Sequence, residues 1–459
     1  MSDLPLIHGI TGAGTKASLQ CQADGTLDVN VTNDPLSVTF DNNSATAPLA
    51  AVSAFGDNVS QRRNVELHAS FVYPAASGSM NTDLFDITET NPGAPSSAAT
   101  VSISAQRELE VFSGVAGSGA SGATVAACNT HRRTRYIPGL GLLARFSARF
   151  DTPNLATDQL IGLGSDEDAV LIGYSGVVGG DTKFRISRVS YVSGAQVTNP
   201  VTQENFNLDT LDGNGPSGMI INPQNGNVFQ ISLQWLGFGA ITFYVENPAT
   251  GALFPFHTFR YANSNTEPSL SNLNGLSLFA YTLHADLSGS PLPGVTLRTS
   301  SMSCMVDGKE PLFGPNRGTS NEKTGVTGTV PVVGLRCAIT MPVGSAYANR
   351  SEMLLRKITT SKVGGNRGGT FSFILNPTTT TGASWTPYNA NTSFAEIDTS
   401  ATTVSGGETV DIIVVGKEGD ATLNLEDYRL EPGDIFYCVF NTTGTSSDAL
   451  VAINWIDLF

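Results

Sequence analysis

The chain has 459 residues, among them 48 glycines and 23 prolines, with only 14% charged side chains and a formal net charge of −15. That length exceeds what one core fills, so the chain should divide into domains, and its acidity argues against a nucleic-acid partner, which needs clustered Lys and Arg. A charge-poor mixture with ample aromatic and β-branched residues excludes extended disorder and suits many short strands joined by turns.

The start, MSDLPLIHGITGAG, lacks the basic and apolar regions of a signal peptide, and no apolar run reaches the about 18 residues that span a bilayer. The expectation is a protein without membrane insertion, kept in a cytoplasm until assembly. Residues 26–31 (TLDVNV) alternate apolar and polar positions and predict a first strand. Residues 65–73 (VELHASFVY) and 101–112 (VSISAQRELEVF) predict further strands, and 114–122 (GVAGSGASG) a loop or linker. Together these suggest an N-terminal β-rich domain over 1–134. The basic run His131-Arg132-Arg133-Thr134-Arg135 is expected to pair with the chain's own carboxylates or with a neighbouring subunit.

A second domain is expected over 135–305. Residues 142–150 predict a strand, and 160–174 two strands around the acidic turn Ser165-Asp166-Glu167-Asp168. Residues 184–192 (FRISRVSYV) alternate with a change of phase near Arg188 that predicts a bulge. The clearest signal lies in 226–261. Phe229, Ile231, Leu233 and Trp235 alternate with Gln230, Ser232 and Gln234, then Ile241, Phe243 and Val245 alternate with Thr242, Tyr244 and Glu246. After the turn residues Asn247-Pro248-Ala249-Thr250-Gly251 comes a third, aromatic-rich run. A period of two over successive runs predicts three antiparallel strands, and 276–284 another, in a β-sandwich.

Residues 306–328 read as a linker. The domain 329–459 follows, with strands predicted at 332–341, 353–359, 370–375, 409–415, 435–441 and 450–456, the last pinning the C-terminus into a sheet. Gly364-Gly365-Asn366-Arg367-Gly368-Gly369 lacks the ending of a phosphate loop and reads as a hairpin turn. The fold class is all-β, a multidomain arrangement of antiparallel sandwiches.

Candidate sites are few. Asp166, Glu167 and Asp168, with Asp181 downstream, offer oxygen ligands of the type calcium takes, although no EF-hand loop fits and a solvated turn is the alternative. Glu204 and Asp209 are carboxylates that a glycosidase could pair across a cleft; solvated surface is the alternative. Trp235 belongs to the apolar face of its strand, whereas Trp385, with Tyr388 in the loop after Gly382, is the better exposed contact for a glycan or partner, unless it folds back on its own sheet. His257 and His284 sit in strand-like segments as packed or edge residues, no Ser-His-Asp order is defensible, and no catalytic residue or cofactor is assigned. The cysteines Cys21, Cys128, Cys304, Cys337 and Cys438 have no zinc spacing and read as buried thiols in a reducing compartment, with a Cys304–Cys337 pair left open.

Several short motifs carry a resemblance: Arg135-Tyr136-Ile137-Pro138-Gly139, Ile161-Gly162-Leu163-Gly164, Gly215-Pro216-Ser217-Gly218-Met219, Trp235-Leu236-Gly237-Phe238-Gly239, Tyr261-Ala262-Asn263-Ser264-Asn265-Thr266, Leu355-Arg356-Lys357-Ile358 and Asn454-Trp455-Ile456-Asp457-Leu458-Phe459. Over roughly its last two-thirds the chain resembles virion structural proteins of tailed phages and large DNA viruses. The central domain is similar to lectin-like sandwiches, and the last resembles the jelly-roll heads of trimeric fibres. The resemblance implies a non-enzymatic protein at the particle surface, serving assembly, decoration or host attachment, localised to the virion and assembled in a host cytoplasm. It further implies partners among other virion proteins, a homo-oligomer (a trimer, by the last domain), and a host glycan or receptor as ligand. The second reading is a carbohydrate-binding or carbohydrate-cleaving β-sandwich protein.

Overall fold

A computed structural model describes residues 7–10, 16–19, 51–52, 58–59 and 63–458 apart from 72–79, 83, 135–136, 166, 235, 272–274, 308–313, 346–348 and 350. The strand expected at 26–31, Cys21, Asp166 and Trp235 lie outside the described residues. The chain divides into two compact units, residues 1–52 with 58–60 and residues 53–57 with 61–459. In the first, Ile7–Ile10 pairs antiparallel with Lys16–Leu19. The second carries two β-sandwiches. Its only helical pieces among the described residues are Gly176–Gly179 and Gln203–Asn205, and no described helix is long and apolar enough to cross a membrane.

The first sandwich stacks a six-stranded sheet on a seven-stranded one. The six-stranded order is Leu253–Phe259, Ile241–Glu246, Asn227–Gln234, Gly141–Ala148, Ser301–Asp307, Arg63–Ser70. The seven-stranded order is Val197–Thr202, Phe184–Ser190, Ala169–Ser175, Thr157–Gly164, Ser277–His284, Thr124–Thr130, Phe85–Thr90. All these pairings are antiparallel. The three strands expected within 226–261 are present, and Phe229, Ile231, Leu233, Ile241, Phe243 and Val245 are buried in the core against Ile161, Leu163, Ile172 and Ile186. Strand parity explains this, since one face of each strand is removed from water and the other is not. Gly162 and Gly173, mid-strand with φ of 156° and 149°, sit where an added Cβ would lie 2.2 Å from Val170 O and 1.9 Å from Gln159 O. A larger residue at either position forces the strands apart.

Pairing runs across the boundary expected between residues 134 and 135. Arg63–Ser70 pairs with Ser301–Asp307, and Phe85–Thr90 and Thr124–Thr130 extend the seven-stranded sheet. A reading along the chain sees neighbours in sequence, whereas these strands find partners far downstream. The run 101–112 is two strands, Thr100–Ile103 and Leu109–Phe112, split by a turn in which Arg107 has φ 66°.

The second sandwich pairs a four-stranded sheet (Asn316–Val326, Ser447–Leu458, Glu352–Gly364, Gly419–Leu430) with a six-stranded one (Thr386–Pro387, Ala395–Asp398, Thr329–Cys337, Ile435–Thr442, Gly369–Leu375, Glu408–Val415). The C-terminal strand is held on both sides, by Asn316–Val326 and Glu352–Gly364. Half of the expected linker is therefore strand. Asn316–Val326 is an edge strand of mostly polar residues, a composition that protects an edge and hides it from a hydrophobic pattern. The glycine turn after residue 364 joins one sheet to the other rather than closing a hairpin within one sheet. Cys128, Cys304, Cys337 and Cys438 are buried free thiols, so Cys304 and Cys337 are not bonded to each other.

Where the sandwiches meet, a cavity of about 240 Å³ is lined by His131 and Arg132 from one and Tyr428, Arg429, Glu431 and Asp434 from the other. His131 and Arg132 of the basic run thus face the chain's own carboxylates. Burial, then the nearby Glu352 and Asp434, push the Glu431 carboxyl up to about 7, against the pull of His131 and an N–H from Arg133. His131 is raised by its 3.0 Å hydrogen bond to Asp86, partly opposed by burial and reinforced by Glu431 and Asp434. Both groups hold a proton more readily folded than unfolded, so the stabilisation from Glu431 declines as pH rises from about 4.5 through 7, and that from His131 is present below 6.5 and declines as pH rises above it. Glu431→Gln should raise Tm at pH 8, by about 2–4 °C per kcal/mol recovered, and change it much less at pH 5, as scanning calorimetry at both pH values will show.

Candidate functional site

Along Phe184–Ser190, Phe184 and Ile186 point into the core, and the next two inward positions carry Arg188 and Ser190, 6% and 2% exposed. Register with both neighbouring strands is unbroken, Arg188 lying opposite Val170 and Asn199. The bulge expected near Arg188 is therefore absent. What reads as a change of phase is a polar pair occupying inward positions at the end of the strand.

A buried guanidinium needs acceptors. Arg188 Nη1 donates to Ser269 O, the guanidinium carbon lies 5.1 Å from the Tyr261 ring centroid, and Nε is buried without a hydrogen-bond partner. No carboxylate among the described residues forms an ion pair with it. Beside it opens a cavity of about 190 Å³ whose lining includes Ser190, Ser193, Asn199, Tyr261 and Glu267.

The cavity's roof is made of loops, and a buried carboxylate ties them. Asp168 is 1% exposed. Its Oδ1 accepts the Tyr191 N–H at 3.3 Å and the Ser271 N–H at 3.0 Å, and its Oδ2 accepts the Ser271 hydroxyl at 2.7 Å. Ser269 donates its N–H and its hydroxyl to Gly237 O, at 2.7 and 3.1 Å. The loops after Ser190, Gln234 and Phe259 are thereby fastened at one end of the sandwich. The Gln234 loop presents Leu236 and Phe238 to solvent, 53% and 39% exposed.

The structure puts the sequence-expected residues to other uses. Asp168 fastens these loops, Glu167 donates its N–H to Ser165 Oγ at 3.3 Å, and Asp181 pairs with Arg185. No group of three or more His, Cys, Asp or Glu comes together as metal ligands among the described residues. Glu204 pairs on the surface with Lys183, while Asp209, 3% exposed, accepts the N–H groups of Leu211 and Ser217 at 2.8 Å each. Trp385 packs edge-on against Tyr437 at 5.7 Å with Arg336 4.7 Å over its ring, and Tyr388 meets Trp455 at 5.3 Å with Arg317 at 5.7 Å. Trp385 is half-buried and folds back on its own sandwich, Tyr388 keeps 39% of its surface exposed, and neither lines the cavity. His257 and His284 are packed residues. Burial, then Arg260, lowers His257 to about 4, and the ring of His284 is fixed between the Ala116 N–H and Leu292 O at 3.0 and 2.8 Å.

Sequence reasoning missed the cavity. The available signal is a basic residue at an inward strand position together with the Asn- and Ser-rich run behind Tyr261.

No family model and no curated protein matches the sequence. Solved structures resemble it in part. A glycosyl hydrolase family protein from Mycobacterium fortuitum is 13% identical, with a TM-score of 0.36 over 52% of this chain and 99% of that one. A GlcNAcα1-4Gal-releasing endo-β-galactosidase from Clostridium perfringens is 10% identical, with a TM-score of 0.33 over 59% and 68%. Lectin UEA-II complexed with galactose is 8% identical, with a TM-score of 0.31 over 53% and 100%. What is shared is β-sandwich architecture. Against the expectation of a non-enzymatic chain, several of the similar structures are glycosyl hydrolases.

Removing the loop fastener has a defined consequence. Asp168→Ala leaves three donors of Tyr191 and Ser271 without their acceptor, which should destabilise the protein by about 1–3 kcal/mol. Hydrogen exchange should accelerate in residues 191–196 and 260–271 while the sheet core stays protected; uniform acceleration would contradict the assignment.

Proposed function

We propose that the first sandwich binds carbohydrate at the cavity beside Arg188 and Tyr261. The observation that carries this reading is the make-up of the wall, which sets one aromatic ring among the hydroxyls and amides of Ser190, Ser193, Asn199, Asn265 and Thr266. A sugar ring offers apolar C–H faces and a rim of hydroxyls, and such a wall meets both. At about 190 Å³ the cavity falls below the roughly 300–1,000 Å³ typical of drug-sized ligands and suits a single sugar residue. Leu236 and Phe238 add an exposed apolar margin where further residues of a chain would lie.

A glycan array followed by calorimetry tests this, with reaction products monitored so that cleavage is seen if it occurs. Tyr261→Ala and Asn199→Ala should each weaken binding by about fivefold or more at unchanged circular dichroism, the loss of one or more net contacts. Silence across the array with the fold intact would refute the reading.

An assembly role for the second sandwich is the second reading, and one observation favours it. Ile412 and Val414, 54% and 77% exposed, stand on Glu408–Val415, an edge strand of the six-stranded sheet. Exposed apolar residues on an unpaired edge favour association with another chain. We propose that copies of the chain, or neighbouring virion proteins, meet there. Light scattering should show an oligomer that Val414→Lys converts towards monomer; a strict monomer at high concentration excludes self-association.

A further inference from the structure

We infer that the cavity beside Arg188 receives the carboxylate of an acidic sugar residue, of the uronate or sialate class; the inference rests on the carbohydrate-binding reading. Arg185 and Arg188 share one strand and are buried alike, at 2% and 6% exposure. Arg185 is paired with Asp181, and elsewhere in the same sandwich Arg149 meets Glu108 and Arg298 meets both Glu110 and Asp151. Arg188 has a backbone carbonyl and a tyrosine ring, and no carboxylate. A buried guanidinium with no carboxylate is costly, and this one lines an open cavity that leaves a place for a counter-ion.

The chemistry of that place is specific. The planar guanidinium fork matches a carboxylate bidentately, and stacking on Tyr261 holds the fork in one orientation. The Arg188 Nε is buried without a partner, as is that of Arg185, but Arg185 has the Asp181 carboxylate and Arg188 has none. Around it, Ser190, Ser193, Asn199, Asn265 and Thr266 supply neutral donors and acceptors, which suit sugar hydroxyls rather than a second charge. Glu267 lines the same cavity but is exposed. It accepts hydroxyls at the mouth and repels a carboxylate that approaches the wrong way round. With a net charge of −15, the chain has no long-range attraction for anions, so selection falls to short-range contacts with Arg188.

The test compares an oligosaccharide ending in a uronate or sialate residue with its carboxyl methyl ester, by titration calorimetry on the whole chain. The acid should bind about tenfold or more tightly than the ester, the worth of a charge-assisted hydrogen-bonded pair. Arg188→Gln should erase that difference, and Glu267→Gln should tighten the acid several-fold. Equal binding of acid and ester overturns the carboxylate inference while leaving carbohydrate binding in place, and so does preference for a sulfated sugar over the carboxylated one. Binding of none of these, with no neutral glycan bound either, removes the carbohydrate reading itself. If Arg188→Gln loses its fold through the Ser269 contact, the acid–ester comparison on the unaltered chain and on Glu267→Gln still decides the matter.

Discussion

In a sandwich of two sheets the parity of a residue along its strand decides whether its side chain meets water or the opposing sheet. Every inward position must then be apolar or have its polar atoms satisfied. Along Asn227–Gln234 and Ile241–Glu246 this rule is met with Phe, Ile, Leu and Val. Along Phe184–Ser190 it is met by the first two inward residues and then broken by Arg188 and Ser190. The break sits at the strand's end, where the opposing sheet gives way to loops, so the exception opens a cavity instead of leaving a charge sealed in the core.

Two buried charges elsewhere in the molecule are held by the chain's own polar groups. Asp398, 1% exposed, accepts hydrogen bonds from the N–H groups of Ser384, Ser400 and Ala401 and from the hydroxyls of Ser400 and Tyr437. Burial alone would raise its pKa, and these donors outweigh it and lower it. Lys362, 1% exposed, gives its ammonium to Gly364 O and Lys417 O at 2.6 and 2.7 Å. Arg188 shares a buried, unpartnered Nε with Arg185 and differs from it in having no carboxylate partner and in lining a cavity, where something outside the chain can complete the set.

Much of the architecture was legible because period-two alternation reports burial directly. The strands of 226–261, the pair around residue 165, and the strands near 280, 355, 372, 412, 438 and 453 all follow from it. What escaped did so for two physical reasons. Polar edge strands such as Asn316–Val326 bury little and carry no apolar signature, and strands such as Phe85–Thr90 take their domain from partners distant in sequence. The site is not legible because residue type alone does not fix a side chain's partners. Asp168 has the chemistry of a calcium ligand and Trp385 that of a sugar platform, yet what each does is set by the three donors around the one and by Tyr437 and Arg336 beside the other.

The pairing of Arg63–Ser70 with Ser301–Asp307 joins segments more than 230 residues apart, and Ser301–Asp307 is also what covers the second edge of Gly141–Ala148. During synthesis the six-stranded sheet therefore waits, with a central strand open on one side, until the chain has been made beyond residue 307. A nascent chain in that condition offers a hydrogen-bonding template to its neighbours on the same message. Its yield in a cell should then depend on how fast the ribosome delivers those last residues and on holding factors that shield the open edge meanwhile, more than on the stability of the finished sandwich.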